Sequence, residues 1–279
     1  MDLAYLRAHP THLPAFLTHQ RIRETPVSGG SICVAQRLTL DDGASVFAKS
    51  LPDPPAGFFA AEAAGLRWLR ETHTVAVPEV LAGLPSMLAL EWIDPAPPSV
   101  ATAERFGREL AAMHGFEPPS VFGAEWTGYI GRLPLDNTPT RATWGEWFAE
   151  YRLRPYIDDQ LVERAADRIA AGVFGGDEPP ARIHGDLWPG NLVWAADRAW
   201  LVDPAAHGGH RETDLAFLAL FGGAPHLDRI LAAYRETRPL ADGWRERVAA
   251  HQLHLMLVHV RLFGAAYRGE VGSLARKLS

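Results

Sequence analysis

A chain of 279 residues, 47% apolar and 22% charged, can bury a substantial core as one large domain or two lobes, and its make-up is that of an ordinary soluble globular protein. A formal charge of −6 offers no basic face to nucleic acid and argues against an anionic membrane surface. The single cysteine, Cys33, excludes an intrachain disulfide framework and a four-cysteine zinc site. Met1-Asp2-Leu3-Ala4 has no basic segment ahead of an apolar stretch, and no apolar run approaches the roughly 20 residues of a membrane helix. A cytoplasmic enzyme with no membrane or nucleic-acid partner is expected.

Residues 1–25 suggest short amphipathic helices broken by Pro10 and Pro14. The turn at Ser28-Gly29-Gly30-Ser31 runs into a strand. Arg37-Leu38-Thr39-Leu40 and Ser45-Val46-Phe47-Ala48-Lys49 follow as strands around Asp41-Asp42-Gly43. Phe58, Phe59, Ala63, Leu66 and Leu69 recur at helical spacing, predicting a helix from Phe58 to Arg70. Val77–Leu81 and Ser86–Ile93 predict two more strands, and the prolines of Asp94-Pro95-Ala96-Pro97-Pro98 a stiff linker. The lobe boundary is placed there, giving lobes 1–93 and 94–279. Helices are predicted over Thr102–His114, Trp144–Leu153, Gln160–Ala171, Asp214–Phe221, Leu227–Glu236 and Trp244 to about Tyr267. His251, His254 and His259 lie on the last; with no carboxylate near them in sequence, they are expected to pack, not to bind a metal.

The chemistry concentrates in Arg182 to Asp203, RIHGDLWPGNLVWAADRAWLVD. Gly185, Pro189 and Gly190 forbid regular structure around Asp186 and Asn191, which places both on a loop. Asp203 ends the apolar run Ala199-Trp200-Leu201-Val202, and Pro204 stops that strand. A hairpin over Asn191–Trp194 and Ala199–Val202 would bring Asn191 and Asp203 to one end. His-Gly-Asp, four residues, Asn, then a strand-end Asp has the spacing of a protein-kinase catalytic loop and its metal-binding aspartate. Gly185 in place of the central Arg resembles the aminoglycoside phosphotransferase-like small-molecule kinases. His184 is expected to orient the loop, and Trp188 to pack, with the acceptor pocket as its alternative.

That loop gives weight to features upstream. The sequence contains two lysines, Lys49 and Lys277, and arginine elsewhere. A lysine retained on a strand suits a compact charge between phosphate oxygens. Glu62, on the predicted helix, could pair with it. Gly29, Gly30 and Ser31, one hairpin before Lys49, form a candidate phosphate-covering loop. Glu91, Trp92 and Ile93 are candidates for the edge that meets adenine.

The runs His184-Gly185-Asp186-Leu187-Trp188-Pro189-Gly190-Asn191, Asp203-Pro204-Ala205-Ala206 and Gly209-His210-Arg211-Glu212-Thr213-Asp214-Leu215-Ala216 together resemble the fructosamine-3-kinase, or ketosamine-3-kinase, family. Leu220-Phe221-Gly222-Gly223, Tyr129-Ile130-Gly131 and Val258–Gly264 extend the likeness over most of residues 20–275. The resemblance implies an α+β, two-lobed protein-kinase-like fold, with a small antiparallel sheet and one main helix ahead of a larger helical lobe. It implies ATP and Mg²⁺ as cofactors and phosphorylation of the sugar C3 hydroxyl of ketoamines, after which the adduct releases its amine. The partner would be a small ketoamine or a glycated protein amine, and the chain a monomer or homodimer. Carried over by position, Asp186 is the base, Asn191 and Asp203 hold Mg²⁺, and Lys49 with Glu62 positions the ATP phosphates.

Asp214 is expected to cap its helix and brace the catalytic loop. His210 and Arg211 could reach acceptor or phosphate, or salt-bridge within their loop. Many relatives carry a cysteine directly after the loop glycines; Ser31 stands there in this chain and Cys33 two residues later, expected to pack. Rival readings are an aminoglycoside, choline or homoserine kinase of the same fold, and a non-catalytic nucleotide-binding pseudokinase.

Overall fold

A computed structural model describes residues 1–19, 22–27 and 32–279. Gly29, Gly30 and Ser31, assigned above to a phosphate-covering loop, lie outside these.

Two short helices, α1 (Leu3–Ala8) and α2 (Leu13–Thr18), precede an antiparallel sheet of β1 (Arg23–Pro26), β2 (Val34–Thr39), β3 (Ser45–Ser50), β4 (Val80–Leu84) and β5 (Met87–Glu91), in the order β1-β2-β3-β5-β4. Helix α3 (Phe58–Arg70) interrupts it in sequence and packs against it, burying Phe59, Ala63, Leu66 and Leu69. This is the face that the helical spacing predicted. The β3–β5 register pairs Lys49 with Leu88 and Val46 with Glu91, so Lys49 shares a sheet face with Leu88 and Leu90, and Glu91 ends β5 on the other face. After Glu91 the chain runs without regular structure to α4 (Val100–Gly115), whose first turn is closed by a Ser99–Thr102 capping box.

The larger lobe continues through the hairpin β6 (Gly128–Ile130) and β7 (Leu133–Leu135), α5 (Trp144–Phe148) and α6 (Gln160–Ala170). Strand β8 (Ala181–Ile183) pairs with β11 (His207–Gly209), and between them stands the hairpin β9 (Leu192–Trp194) and β10 (Ala199–Leu201). Helices α7 (Glu212–Phe217), α8 (Leu227–Thr237), α9 (Trp244–Phe263) and α10 (Arg268–Leu278) complete it. Helix α9 is buried over most of its length and packs on α7 and α10, while α4 packs along α8. Among the described residues, no helix is long and apolar enough to cross a membrane.

The helix expected over Trp144–Leu153 is α-helical only to Phe148. A π-helical turn over Ala149–Leu153 follows, then a 3₁₀ turn containing Pro155, which has no N–H to continue the ladder. The helix expected from Asp214 to Phe221 covers Glu212–Phe217 instead. The long last helix stops at Phe263, where Gly264 takes φ +84°, and α10 lies beyond it.

Candidate active site

The loop of residues 184–191 hangs between β8 and the β9–β10 hairpin. Gly185 adopts φ +78°, and a Cβ there would lie 2.4 Å from the Ala205 carbonyl, so only glycine fits. His184 is fully buried: its Nε2–H donates to the Val202 carbonyl (2.8 Å) and its Nδ1 accepts from the Asp186 N–H (3.2 Å). Burial lowers its pKa, so the neutral ring that these bonds require is the stable form. These bonds join the ring to the loop backbone and to the end of the β9–β10 hairpin.

Asp214 ties the loop from beneath. Its buried carboxylate accepts from the backbone N–H groups of His184 (2.8 Å) and Gly185 (2.9 Å) and from His114 Nε2 (3.1 Å). The bracing was foreseen; the helix cap was not realised, because Asp214 lies inside α7 and its oxygens are engaged by the loop. His114 and Tyr234, whose hydroxyl meets His114 Nδ1 at 2.8 Å, complete the support. Neither was singled out from the sequence, although His114 sits four residues after Leu110 on an otherwise apolar face of α4.

Above the loop, the Asn191 amide nitrogen donates to the Asp186 carbonyl (2.7 Å) and to Asp186 Oδ2 (3.1 Å). Asp186 Oδ1 is buried with no partner among the described residues. Burial raises the Asp186 pKa well above its ordinary value, and the Asn191 bond only partly opposes this. Asp203 follows β10 at φ +55°, a left-handed conformation that costs a non-glycine residue about 1 kcal/mol. This turn directs its carboxylate at Lys49, with Nζ to Oδ1 at 2.7 Å.

Lys49 is 7% exposed and also meets Glu62 Oε2 at 2.6 Å, so one cation serves two carboxylates. Burial opposes its charge, but Asp203 and Glu62 outweigh that and raise its pKa. Asp203 is held below its usual range by the same lysine, against the loss of solvent. Glu62, deeper and beside the Asp203 charge, is pushed up to about 7, chiefly by burial. Lys49→Met would leave both carboxylates without their cation, and a Lys49→Met/Glu62→Gln thermodynamic cycle is expected to show coupling of about 0.5–3 kcal/mol in denaturant unfolding. Strict additivity would mean that the contact carries no energy.

These groups open onto one cleft of about 510 Å³. Lys49, Glu62, Glu91, Trp92 and Ile93 line it from the sheet side, and Asp186, Trp188, Asn191 and Asp203 from the helical side. Trp188, expected chiefly to pack, does both: it joins the large-lobe core and faces the cleft. Cys33 also borders the cleft, and burial raises its thiol pKa, which disfavours the reactive thiolate.

His210 and Arg211 do not line the cleft. Arg211 makes a bidentate pair with Glu178 (2.6 and 2.8 Å), and His210 Nε2 donates to the Gly176 carbonyl (2.7 Å). These partners are structural, but they lie on the segment before β8 and not within the loop of His210 and Arg211, as the structural alternative had it. His210, Glu212 and His251 do bring ligand atoms within 4.8 Å of one another. However, both Glu212 oxygens are taken by Arg247 (2.7 and 2.8 Å), His210 Nδ1 accepts from the Glu212 N–H, and His251 Nδ1 meets the Thr213 hydroxyl (3.0 Å). The carboxylate is thus already neutralised by a guanidinium, while the buried His251 Nε2, 3.7 Å from Glu212, keeps no hydrogen-bond partner among the described residues.

Comparison with known proteins agrees with this architecture. A sequence profile of the fructosamine kinase family matches residues 11–279. The probable ketoamine kinase of Synechocystis sp. is 32% identical over 275 residues, covering 92% of this chain and 90% of its own. That of Thermus thermophilus is 33% identical over 263 residues, covering 91% and 92%. The crystal structure of a fructosamine-3-kinase candidate from Thermobifida fusca is 49% identical, with a TM-score of 0.84 over 92% of each chain. An aminoglycoside phosphotransferase in a ternary complex with ADP and hygromycin B shares the fold at 15% identity, with a TM-score of 0.63. The fold is therefore that of the protein-kinase-like phosphotransferases, and the chain belongs to the fructosamine kinase family.

Proposed function

We propose that the protein transfers the γ-phosphoryl group of ATP to the sugar C3 hydroxyl of small ketoamines, after which the unstable adduct releases its amine. The observation that carries this reading is the Asp186 carboxylate, held by Asn191 and keeping one unpartnered oxygen, in the same cleft as the Lys49–Asp203 pair of a fructosamine kinase family chain.

In this reading Asp186 accepts, or orients, the proton of the attacking hydroxyl. Lys49, aimed by Glu62, meets the donor phosphates, and the backbone of Glu91 to Ile93 meets adenine. Gly29, Gly30 and Ser31 cover the phosphates, and the lobes divide between residues 93 and 94. Asn191 and Asp203 fit a hard divalent cation: the three hydrogen bonds of the Asn191 side chain all use its nitrogen, which leaves its oxygen as a ligand, and Asp203 adds a charged one. Bound there, Mg²⁺ would neutralise charge on the donor phosphates. Catalysis then consists of positioning and charge stabilisation, without a covalent enzyme intermediate.

The test is an ATP-consumption screen over ribulosamines, erythrulosamines, fructosamines, aminoglycosides, choline and homoserine, followed by phosphorus and proton NMR of the product. Ketoamine turnover with phosphate on the C3 oxygen is expected. Phosphate on an aminoglycoside hydroxyl, with no ketoamine turned over, would overturn the substrate class and leave the fold and cleft as described.

A further inference from the structure

The cleft carries an aromatic wall that phosphoryl transfer does not itself require. Trp188, two residues after Asp186, folds its indole over Gly190, where a Cβ would meet the ring at 2.0–2.5 Å. The Phe221 ring meets Trp188 edge-on (centroids 5.4 Å) and His259 at 4.9 Å. His259 in turn lies 5.3 Å from Phe263 and 5.0 Å from Tyr267. Phe221 and Phe263 are each 45% exposed, an unusual degree for two phenylalanines in one cluster. Trp188, His259 and Phe263 face the cleft; Phe221 and Tyr267 back them.

The wall is also uncharged. His259 Nδ1–H donates to the Leu255 carbonyl (2.8 Å), and burial lowers the ring's pKa, so Nε2 is a neutral acceptor. Among the described residues, the carboxylates lining the cleft are Glu62, Glu91, Asp186 and Asp203, and the cation is Lys49. Glu62, Asp203 and Lys49 satisfy one another, Glu91 lies at the far end of β5, and Asp186 stands at the reacting hydroxyl. Among the described residues that line the cleft, an anion laid on the wall would find no counter-ion, and an ammonium would find only the ring faces, worth about 0.5–1 kcal/mol at an exposed site, so desolvating either charge is not repaid.

Resting on the ketoamine reading above, we propose that Trp188, His259 and Phe263 form the subsite for the amine substituent of the acceptor, and that it selects ketoamines whose amine bears an uncharged aromatic or apolar group. The sugar would then present its hydroxyl to Asp186 while the tail stacks on the wall. Ribulosamines of benzylamine, 1,5-diaminopentane and β-alanine test this, since they share the sugar and differ in an aromatic, an ammonium and a carboxylate tail. The expected kcat/KM for the benzylamine conjugate is roughly tenfold above either charged one. Phe263→Ala should shrink that ratio to about threefold or less, and Phe221→Ala should reduce it in the same direction. Because the ratio is internal to each variant, a general loss of activity does not mimic the effect. Equal kcat/KM across the three tails, preference for a charged tail, or a ratio unchanged in both variants would overturn the subsite. If no ketoamine is turned over while another acceptor is, the underlying reading has failed and the subsite falls with it.

Discussion

Asp186→Asn is expected to lower turnover by roughly 10²–10⁴-fold, the usual worth of a positioned general base, while leaving nucleotide affinity within a few-fold of wild type. The amide keeps the shape of the carboxylate and the contact with the Asn191 nitrogen can be made by its oxygen, so the loop has no reason to rearrange. What disappears is the basic oxygen, the one polar atom of the loop that is buried and unpartnered. Single-turnover phosphorylation of a ketoamine, beside a nucleotide titration followed by tryptophan fluorescence, separates the two quantities. Loss of ATP binding in proportion to activity would instead place Asp186 in donor binding, and a variant at more than a tenth of wild-type turnover would remove it from the chemistry.

The second large effect concerns stability. Arg247 and Glu212 form a bidentate pair at 1% and 3% exposure, linking α9 to α7. Arg247→Met would leave Glu212 buried without its cation and is expected to cost about 3–5 kcal/mol, lowering Tm by roughly 10 °C. Calorimetry at pH 7 measures this directly, and a shift below 2 °C would mean that the pair carries little net energy.

The same region fixes how the wild type responds to acid. His210 and His254 are pushed down by burial, to about 4 and about 3 from an ordinary 6.5. The unfolded chain therefore takes up their protons first, and stability is lost as pH falls from about 6.5 towards those values. Glu212 is held at about 2 by Arg247 and its histidine neighbours in spite of burial, so its contribution is present above an ordinary 4.5 and lost below it. Tm should thus begin to fall near pH 6.5, before ordinary carboxylates titrate.

Legibility in the sequence followed the strength of the local signal. Phe58–Arg70 was readable to the residue because its apolar positions repeat over three turns and Gly57 precedes them. The hairpin that joins Asn191 to Asp203 was readable from its flanking Gly and Pro. The β8–β11 pairing was not, since strands of three residues carry too short an alternation to register. Helix α10 was overlooked even though Val271, Leu274, Ala275 and Leu278 mark an apolar face, because Gly264, Gly269 and Gly272 read as loop. His210 and Arg211 illustrate the harder limit. Burial turns polar residues into scaffold, and nothing in one-dimensional spacing separates a charge facing a ligand from a charge facing another buried charge.

The distribution of lysine has a consequence for the protein's own chemistry. Lys49 is enclosed between two carboxylates, held protonated and shielded from solvent, which leaves Lys277 as the exposed lysine of the chain. A sugar aldehyde or an activated ester condenses with a free, unprotonated amine, and arginine, which supplies nearly all other cations here, does not offer one. In the ketoamine reading proposed above, the protein would thus present almost no lysine surface on which sugar–amine adducts could accumulate, and its lysine-directed labelling should converge on one position near the end of α10.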